Sequence, residues 1–336
     1  MGHGAILPQG APPGAAARRI RVRRDAATGL APAANICHMT AIFSGAGEEG
    51  GDSAVAPSAG SRCHPGLAPY GPLRDELLRL PPGQWIAHCN RLAASRGLRS
   101  AGGMPLRFVA GSDPQGAVGY EAAIFHQGRV ACRGSGRGAL HDLHNALVWL
   151  TFPDVKATLN RLHVESAADG DEGSSRHPAP RERRGLAATP AVGRGRGRVR
   201  DLATLLDESG LLWLSADASL DARLQARDWL GLLVENRERL TAQVRPIVIG
   251  HGLLEKLAAP YKAMTAHCLP CRAVADGPIA AQGGDPRDGH AAACLAAAFA
   301  GDRVPKLAPL PILGLPGWDP ANVDPSYYDD ARVFRA

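Results

Sequence analysis

The stretch HDLHNALVWL, His141–Leu150, places four polar side chains on the first turns of an otherwise apolar segment. At 100° per residue its apolar side chains surround most of the helix, and one stripe consists of Leu140, Leu143, Leu147 and Leu150. A helix that is apolar nearly all round is buried. The segment therefore predicts a central helix, which ends before Pro153 because proline suits a first turn and not a helix interior.

The polar residues of this helix allow two interpretations. In the structural one, Asp142 caps the helix, Asn145 bonds nearby backbone and the histidines are ordinary, partly buried ones. In the functional one, His141 and Asp142 are metal ligands or an acid/base pair, because an imidazole and a carboxylate on one turn can converge on a single cation or proton. An unpartnered buried polar group costs roughly 1–3 kcal/mol, so these residues are either satisfied or used.

A second polar pair lies in GHGLLEK, Gly250–Lys256. His251 and Glu255 are four residues apart, which on a helix points two side chains the same way. The alternative is that Gly250 and Gly252 shape a turn while Glu255 is solvated.

Two segments predict antiparallel hairpins. YEAAIF and RVACR, within Tyr120–Arg133, resemble two strands joined by a short turn, and Asp207–Gly210 separates the apolar runs LATLL and LLWLS. Turn chemistry accounts for Asp207 and Glu208 in this interpretation. QVRPIVIG and TAHCLPCRAV predict further strands, and the mixture of strands and helices predicts one α+β domain with short antiparallel hairpins packed by helices and an extended C-terminal tail.

The cysteines do not form an evident framework. Seven are scattered along the chain, without a secretory signal, which indicates reduced thiols in a cytoplasmic protein. HCLPC, His267–Cys271, contains a C-x-x-C pair that Cys294 or His290 could complete as a zinc site, but no second close pair of ligands follows. No apolar run approaches the roughly 20 residues that span a bilayer, so no membrane association is expected.

The basic charge is concentrated in two segments of low complexity. The net charge is +6, and Arg176–Arg200 alone contains eight arginines and one glutamate. Residues 1–70 are rich in Gly, Ala, Pro and Arg and predict disorder, although a start codon placed too early explains the first 65 almost as well. Residues 165–199 predict a disordered insertion. Because the remainder of the chain is slightly acidic, nucleic-acid binding is only weakly suggested, and only through these two arginine-rich segments.

Several long motifs, in one order, resemble a bacterial family of uncharacterised proteins, domain-of-unknown-function family 3025. They are YEAAIFHQGRVACR, LHDLHNALVWLTFPDVKATLN, RDLATLLDESG, GHGLLEK, TAHCL and the ending PLPILGLPGWDPANVDPSYYDDARVFR. The resemblance extends from about Pro72 to the C-terminus and implies one domain, residues 71–336, interrupted by the insertion at 165–199.

The resemblance also implies which residues belong to shared motifs, and it implies no activity. The signature segments contain His141, Asp142, Asn145, Asp207, Glu208, His251, Glu255 and His267. Members of the family commonly carry an aromatic residue where this chain has His144, so His144 is not expected to take part in shared chemistry.

Two functional hypotheses follow from these residues. The first is a divalent-metal-dependent hydrolase, a phosphodiesterase or a nuclease-like enzyme, with His141, Asp142 and His251 as metal ligands and Asn145 and Glu255 completing the catalytic set. A hairpin followed by a helix that opens with His-Asp resembles, loosely, the order in ββα-metal nucleases. The second is a non-catalytic binding or assembly protein whose polar residues form a buried hydrogen-bond network. The first requires His141 and His251 to meet in space.

Overall fold

The computed structural model describes Met1 and residues 64–111, 119–171, 194–272, 285, 287–301 and 304–335, with the backbone alone for 168–171 and 194–196. Most of the predicted N-terminal segment 1–70 thus lies outside the described residues. Its last part, from residue 64, is ordered: Pro65–Leu67 forms a 3-10 turn, and the buried Tyr70 hydroxyl donates to the carbonyl of Val248 at 2.5 Å.

Helices and strands alternate irregularly along the described chain. The helices are α1 (Gly71–Leu78), α2 (Gln84–Ser95), α3 (Tyr120–Gln127), α4 (Ala139–Thr151), α5 (Pro153–Asp171), α6 (Arg194–Ser209), α7 (Ala218–Ala226), α8 (Arg237–Gln243), α9 (His251–Lys256) and α10 (Asp288–Phe299). The strands are β1 (Arg107–Ala110), β2 (Arg129–Cys132), β3 (Gly210–Ser215), β4 (Val244–Val248), β5 (Thr265–Arg272) and β6 (Ala308–Pro311). The α+β class is confirmed.

The larger sheet has four strands in the order β4-β3-β5-β6. Its central strand, β3, is the apolar run GLLWLS and is buried along its whole length, as expected of a strand covered on both faces. β3 pairs antiparallel with β4 and parallel with β5, and β5 pairs antiparallel with β6. β1 and β2 form a separate parallel pair.

The helix predicted from HDLHNALVWL is α4, and it lies in the core as expected. Leu143, Leu147 and Leu150 are completely buried, and the helix packs against α2, α5 and α9. α5 follows directly after Phe152, with Pro153 at its first position. Two carboxylate oxygens of Asp288 accept the backbone N–H groups of Asp154 and Val155, which satisfies donors that the start of α5 would otherwise leave unpaired.

The hairpin predicted at Tyr120–Arg133 is not formed. YEAAIF is helix α3, which ends at Gly128 in the left-handed conformation. RVACR does contain a strand, β2, but its partner is β1 and the pairing is parallel. The apolar residues of YEAAIF suit a strand or a short buried helix equally, and the glycine at residue 128 is a helix C-cap and not a hairpin turn.

The hairpin predicted at Asp207–Gly210 is also replaced by a helix-to-strand junction. α6 continues through Asp207 and Glu208 to Ser209, and β3 begins at the next residue. Gly210 is required here because a Cβ at this position would overlap the backbone of Leu206. The antiparallel partner of β3 is β4, which the chain reaches only after α7 and α8.

The predicted insertion is partly helical, and the predicted C-terminal tail is well packed. α5 extends to Asp171 and α6 begins at Arg194, so both ends of 165–199 are helical, and 172–193 lies outside the described residues. The C-terminal part adds β6 to the sheet and buries several aromatic side chains, namely Trp318, Tyr327, Tyr328 and Phe334. Among the described helices, none combines the length and apolar character needed to cross a membrane.

His144, a residue of α4, is fully buried. Its Nδ1 bonds the carbonyl of Leu140 at 2.8 Å, and its Nε2 has no partner. Burial lowers the pKa of His144 from 6.5 to about 4. Between these values the unfolded chain binds a proton that the folded chain does not, so the free energy of unfolding falls by about 2 kcal/mol for this group as the pH drops from 7 to 5.

The substitution His144→Phe should remove this component. In urea unfolding with a chelator present, the variant should lose about 2 kcal/mol less stability than the wild type between pH 7 and pH 5. His126→Phe, at an exposed site on α3, is the control and should keep the wild-type pH dependence. An unchanged pH dependence in His144→Phe would contradict the assignment.

Candidate metal centre

An open cleft of about 360 Å³ lies where α4, α6 and α9 approach one another. Its walls are unusually rich in ionisable side chains. The polar residues lining it are Tyr120, Glu121, Arg133, His141, Asp142, Asn145, His163, Arg200, Thr204, Asp207, Glu208 and His251.

The two histidines predicted as site residues meet in this cleft. His141 lies in the first turn of α4 and His251 is the first residue of α9. Their Nε2 atoms are 2.9 Å apart, and the ring centroids are 4.4 Å apart. The spatial requirement of the metal hypothesis, that His141 and His251 come together, is therefore fulfilled.

A glycine determines where His251 lies. Gly250 packs against Ser209 and Gly210, and a Cβ at residue 250 would overlap the backbone of both. The N–H groups of Ile249 and Gly250 both donate to the carbonyl of Gly210, each at 3.0 Å. This close approach brings the start of α9 against the end of α6, where Glu208 is located.

Glu208 completes a group of three ligand atoms. Its Oε1 lies 3.5 Å from His251 Nε2 and 3.8 Å from His141 Nε2. In the described ranges, these three residues are the only group of three or more His, Cys, Asp or Glu side chains with ligand atoms mutually within 4.8 Å. In tetrahedral zinc sites, with bonds of 2.0–2.2 Å, neighbouring ligand atoms are about 3.3 Å apart, so the spacing fits a shared ion.

Two further carboxylates approach the opposite nitrogen of each ring. Glu255 Oε2 is 3.1 Å from His141 Nδ1, and Asp207 Oδ2 is 3.7 Å from His251 Nδ1. The first distance is a hydrogen bond, whereas 3.7 Å is too long for one, and His251 Nδ1 has no hydrogen-bond partner. Metal-binding histidines usually donate their second N–H to a carboxylate, which fixes the ring and directs a lone pair at the ion, and Glu255 is placed to accept in this way from His141. Glu255, predicted as part of the site, thus lies behind a ligand.

The count of protons favours a cation between the rings. If Nδ1–H of His141 donates to Glu255 and Nδ1–H of His251 faces Asp207, both Nε2 atoms carry lone pairs. Those lone pairs then face each other and the carboxylate of Glu208, which is repulsive unless a positive charge lies between them. A proton shared by the two Nε2 atoms would remove this repulsion in one of two ways. Either one ring gains a proton and becomes cationic, or His251 carries its proton on Nε2, which leaves a lone pair on its Nδ1 facing Asp207.

Lys156 keeps Asp207 ionised, and burial keeps His251 neutral. Burial by itself would raise the pKa of Asp207, but the ammonium of Lys156, with Nζ 2.5 Å from Oδ1, outweighs it, and the net shift is downward. Burial lowers the pKa of His251 and exceeds the opposing effect of Asp207. Neutral imidazole and ionised carboxylate are the forms that bind metals.

Two of the predicted site residues are engaged elsewhere. Both carboxylate oxygens of Asp142 bond Arg133, with Nη2–Oδ1 and Nε–Oδ2 distances of 2.7 and 2.8 Å. The Nδ2 of Asn145 donates to the hydroxyl of Tyr120 at 2.8 Å. Asp142 and Asn145 line the cleft but are not in the group of three, and the ligand expected from Asp142 is offered instead by Glu208.

Other site residues were not foreseen from the sequence. Asp207 and Glu208 were assigned to a turn, although both lie in a motif of the resembled family. Lys156, Asn160 and His163 are buried along one side of α5 at spacings of four and three residues. A polar stripe among the apolar residues of this helix was a usable signal, because buried charges are almost always paired.

The comparison with known protein families agrees with the motifs. The family model described as "Protein of unknown function (DUF3025)" matches residues 106–336. The chain belongs to the DUF3025 family. The match includes every residue of the cluster and both sides of 165–199, while residues 72–105 lie outside it. No curated protein and no solved structure matched the chain.

Metal binding by this DUF3025 protein is testable directly. After removal of metals by chelation, the wild type should bind one Zn²⁺ or Mn²⁺ per chain in isothermal titration calorimetry. Loss of a ligand in His251→Ala should weaken binding by at least about 100-fold. Asp142→Asn should bind nearly as the wild type does, because the carboxylate of Asp142 is held by Arg133.

Substitution of Glu255, the carboxylate behind His141, should have an intermediate effect on metal affinity. Glu255→Gln keeps an oxygen for His141 Nδ1 but removes the charge, and its affinity should fall by roughly 10- to 100-fold. Glu238→Gln, on the exposed face of α8, is the matched control and should leave affinity unchanged. Equal affinity in the wild type and His251→Ala would contradict the assignment of the ligands.

Proposed function

We propose that this DUF3025 protein is a divalent-metal-dependent hydrolase in which His141, His251 and Glu208 hold the ion. The observation that carries the proposal is the convergence of two Nε2 atoms and one carboxylate oxygen on the wall of an open cleft. Three protein ligands with an open fourth position are typical of catalytic zinc sites, whereas structural sites use four.

The bound ion would lower the pKa of a coordinated water towards 7 and polarise the substrate. The surrounding side chains perform the remaining tasks. Glu255 orients the imidazole of His141 through a hydrogen bond, and Lys156 holds Asp207 ionised, so that its negative charge lies 3.7 Å from His251 Nδ1. Glu121 is a carboxyl group on the cleft wall that can carry a proton, because burial and the nearby Asp207 raise its pKa, despite opposing effects of Lys156, His163 and Asn160.

Arg200 supports an anionic substrate, and we assign the substrate class as phosphoesters. Arg200 lines the cleft with an exposed side chain and lies two turns before Glu208 on α6, about 12 Å along the helix axis. Guanidinium groups bind phosphate oxygens, so the long, flexible side chain of Arg200 suits the phosphate of a substrate that is bound in the same cleft. The resemblance to ββα-metal nucleases does not support this proposal. It depended on a hairpin of two strands, and the structure has the helix α3 followed by the strand β2 in that place.

The alternative, a binding or assembly protein with a buried polar network, requires that the polar motif residues be enclosed. Asp142 and Asn145 do have protein partners. However, an open cleft lined by His141, Asp142 and His251 is the arrangement expected of an enzyme and not of a closed network.

The activity test uses the full chain. Metal-free protein should hydrolyse bis(p-nitrophenyl) phosphate only after addition of Zn²⁺ or Mn²⁺, and His251→Ala, purified identically, should lose at least about 100-fold in kcat/KM. If hydrolysis is absent in the metal-loaded wild type, or equal in His251→Ala, the proposed function is rejected.

Substrate binding by Arg200 predicts a separate effect. Arg200→Ala should raise KM about tenfold while kcat changes little, because the contact is made equally in the ground state and transition state. Arg198→Ala is the matched control: Arg198 is exposed on the same helix but does not line the cleft. A KM that is unchanged in Arg200→Ala, or equally raised in both variants, would place the anion elsewhere.

A further inference from the structure

A second open cleft, of about 300 Å³, is lined by the edge strand β6 and by residues near the C-terminus. Three of its eight lining residues are arginines, namely Arg227, Arg332 and Arg335. Within the described part of the chain, no carboxylate lines this cleft, and it shares no residue with the cleft of the metal centre. It is therefore a separate site with a concentrated positive charge.

A buried tryptophan connects the segments that carry two of these arginines. Trp229, two residues after Arg227, lines the cleft, and its Nε1–H donates to the carbonyl of Arg335 at 2.6 Å. Trp229 and Phe334, the neighbour of Arg335, are both buried. Apolar packing thus fixes the two backbone segments, whereas Arg227 and Arg335 themselves are exposed.

The fold does not neutralise the charges of Arg227 and Arg335. Among the described residues, neither guanidinium group forms an ion pair with a carboxylate. Asp228, next to Arg227 in the sequence, instead binds Arg223 and the N–H of Gly231. Both arginine side chains therefore remain available to an anionic ligand.

The third arginine belongs to a small group of charges beside the cleft. Asp330 is shared between Arg332, with Nε 3.4 Å from Oδ1, and Lys262, with Nζ 3.6 Å from Oδ2. The three guanidinium groups of the cleft and this ammonium are thus accompanied by a single carboxylate, which leaves an excess of positive charge. One phosphate group carries a charge of about −2 at neutral pH, so two linked phosphate groups match this excess better than one does.

Arg227 has a backbone conformation that is unusual for its residue type. It is the C-cap of α7 and adopts a φ of 56°, the only positive φ of a non-glycine residue in the described ranges. Glycine is the usual residue at such a position, because a side chain is strained there. An arginine at a position that favours glycine indicates a task for its side chain, and that side chain lines the cleft.

We propose that this cleft binds a small ligand with two linked phosphate groups, held by Arg227, Arg332 and Arg335. Guanidinium groups form paired hydrogen bonds with phosphate oxygens, so three of them from separate positions can contact both phosphates. Pro309 and Pro311, two residues apart on one face of β6, form an apolar part of the wall. The cleft therefore also offers a surface to the organic group that carries the phosphates.

The test uses the full chain, freed of metal by chelation, and inorganic pyrophosphate as the probe. Isothermal titration calorimetry should show one pyrophosphate bound per chain. Inorganic phosphate should bind about tenfold more weakly, because it contacts fewer of the guanidinium groups. The absence of pyrophosphate binding, or equal affinity for the two anions, would overturn the proposal.

Variants show whether pyrophosphate binds in this cleft. Arg227→Gly should weaken binding at least about tenfold. It should also unfold at no lower urea concentration than the wild type, because glycine adopts a φ of 56° without strain. Arg335→Ala should weaken binding as well. The matched control is Arg79→Gly, which should bind as the wild type does: Arg79 is the C-cap of α1, with a φ of −81°, and does not line the cleft.

A last variant separates this site from the metal centre. Arg200→Ala, which alters the cleft of the metal centre, should bind pyrophosphate as the wild type does. Loss of binding in Arg200→Ala, or wild-type affinity in Arg227→Gly, would overturn the assignment. These measurements need neither hydrolysis nor bound metal, so their outcome is independent of the proposed function.

Discussion

The close contact between Gly250 and the Ser209–Gly210 junction is the constraint on which the site depends. Two consecutive N–H groups, those of Ile249 and Gly250, converge on the carbonyl of Gly210, and no side chain fits between the backbones. The contact joins the end of β4 to the start of β3. It therefore brings His251, just after β4, beside Glu208, just before β3, although they are distant in sequence.

The charges around this contact form an arrangement that a cation would complete. Glu208, Glu255 and Asp207 contribute three carboxylates around the imidazoles of His141 and His251, and Lys156 is bound to Asp207. Concentrating like charges beside a buried region is costly, and proteins rarely accept it without a compensating ion. A divalent cation bound by His141, His251 and Glu208 would remove this cost and also satisfy the facing lone pairs.

The sequence predicted the parts of the site that depend on local spacing. The helical pattern of HDLHNALVWL identified α4, and the four-residue spacing of His251 and Glu255 identified α9, so His141, His251 and Glu255 could be named. Asp207 and Glu208 were missed as site residues because D-E-S-G between apolar runs is typical of a hairpin. What accompanies a helix end here, and not that turn, is the packing of Gly250 against the backbone of Ser209 and Gly210, a contact between residues distant in sequence that no short window of sequence reports.

The role given to Asp142 fails for a related reason. Position on the same turn as His141 suggested a shared ion, but adjacent residues on a helix point about 100° apart. The side chain of Asp142 points towards the end of β2, where the N–H and guanidinium of Arg133 donate hydrogen bonds to both its oxygens. The carboxylate that lies beside the two Nε2 atoms is that of Glu208, from α6, so tertiary structure decides which of the two carboxylates joins the histidines.

The cluster of His141, His251 and Glu208 also depends on helix packing around α5. The carboxylate of Asp288, the first residue of α10, accepts hydrogen bonds from the first N–H groups of α5. The next residue along α5 after those groups is Lys156, whose ammonium binds Asp207 behind His251. The packing of α10 against α5 therefore helps to determine where the ammonium of Lys156 lies, and with it the charge behind His251.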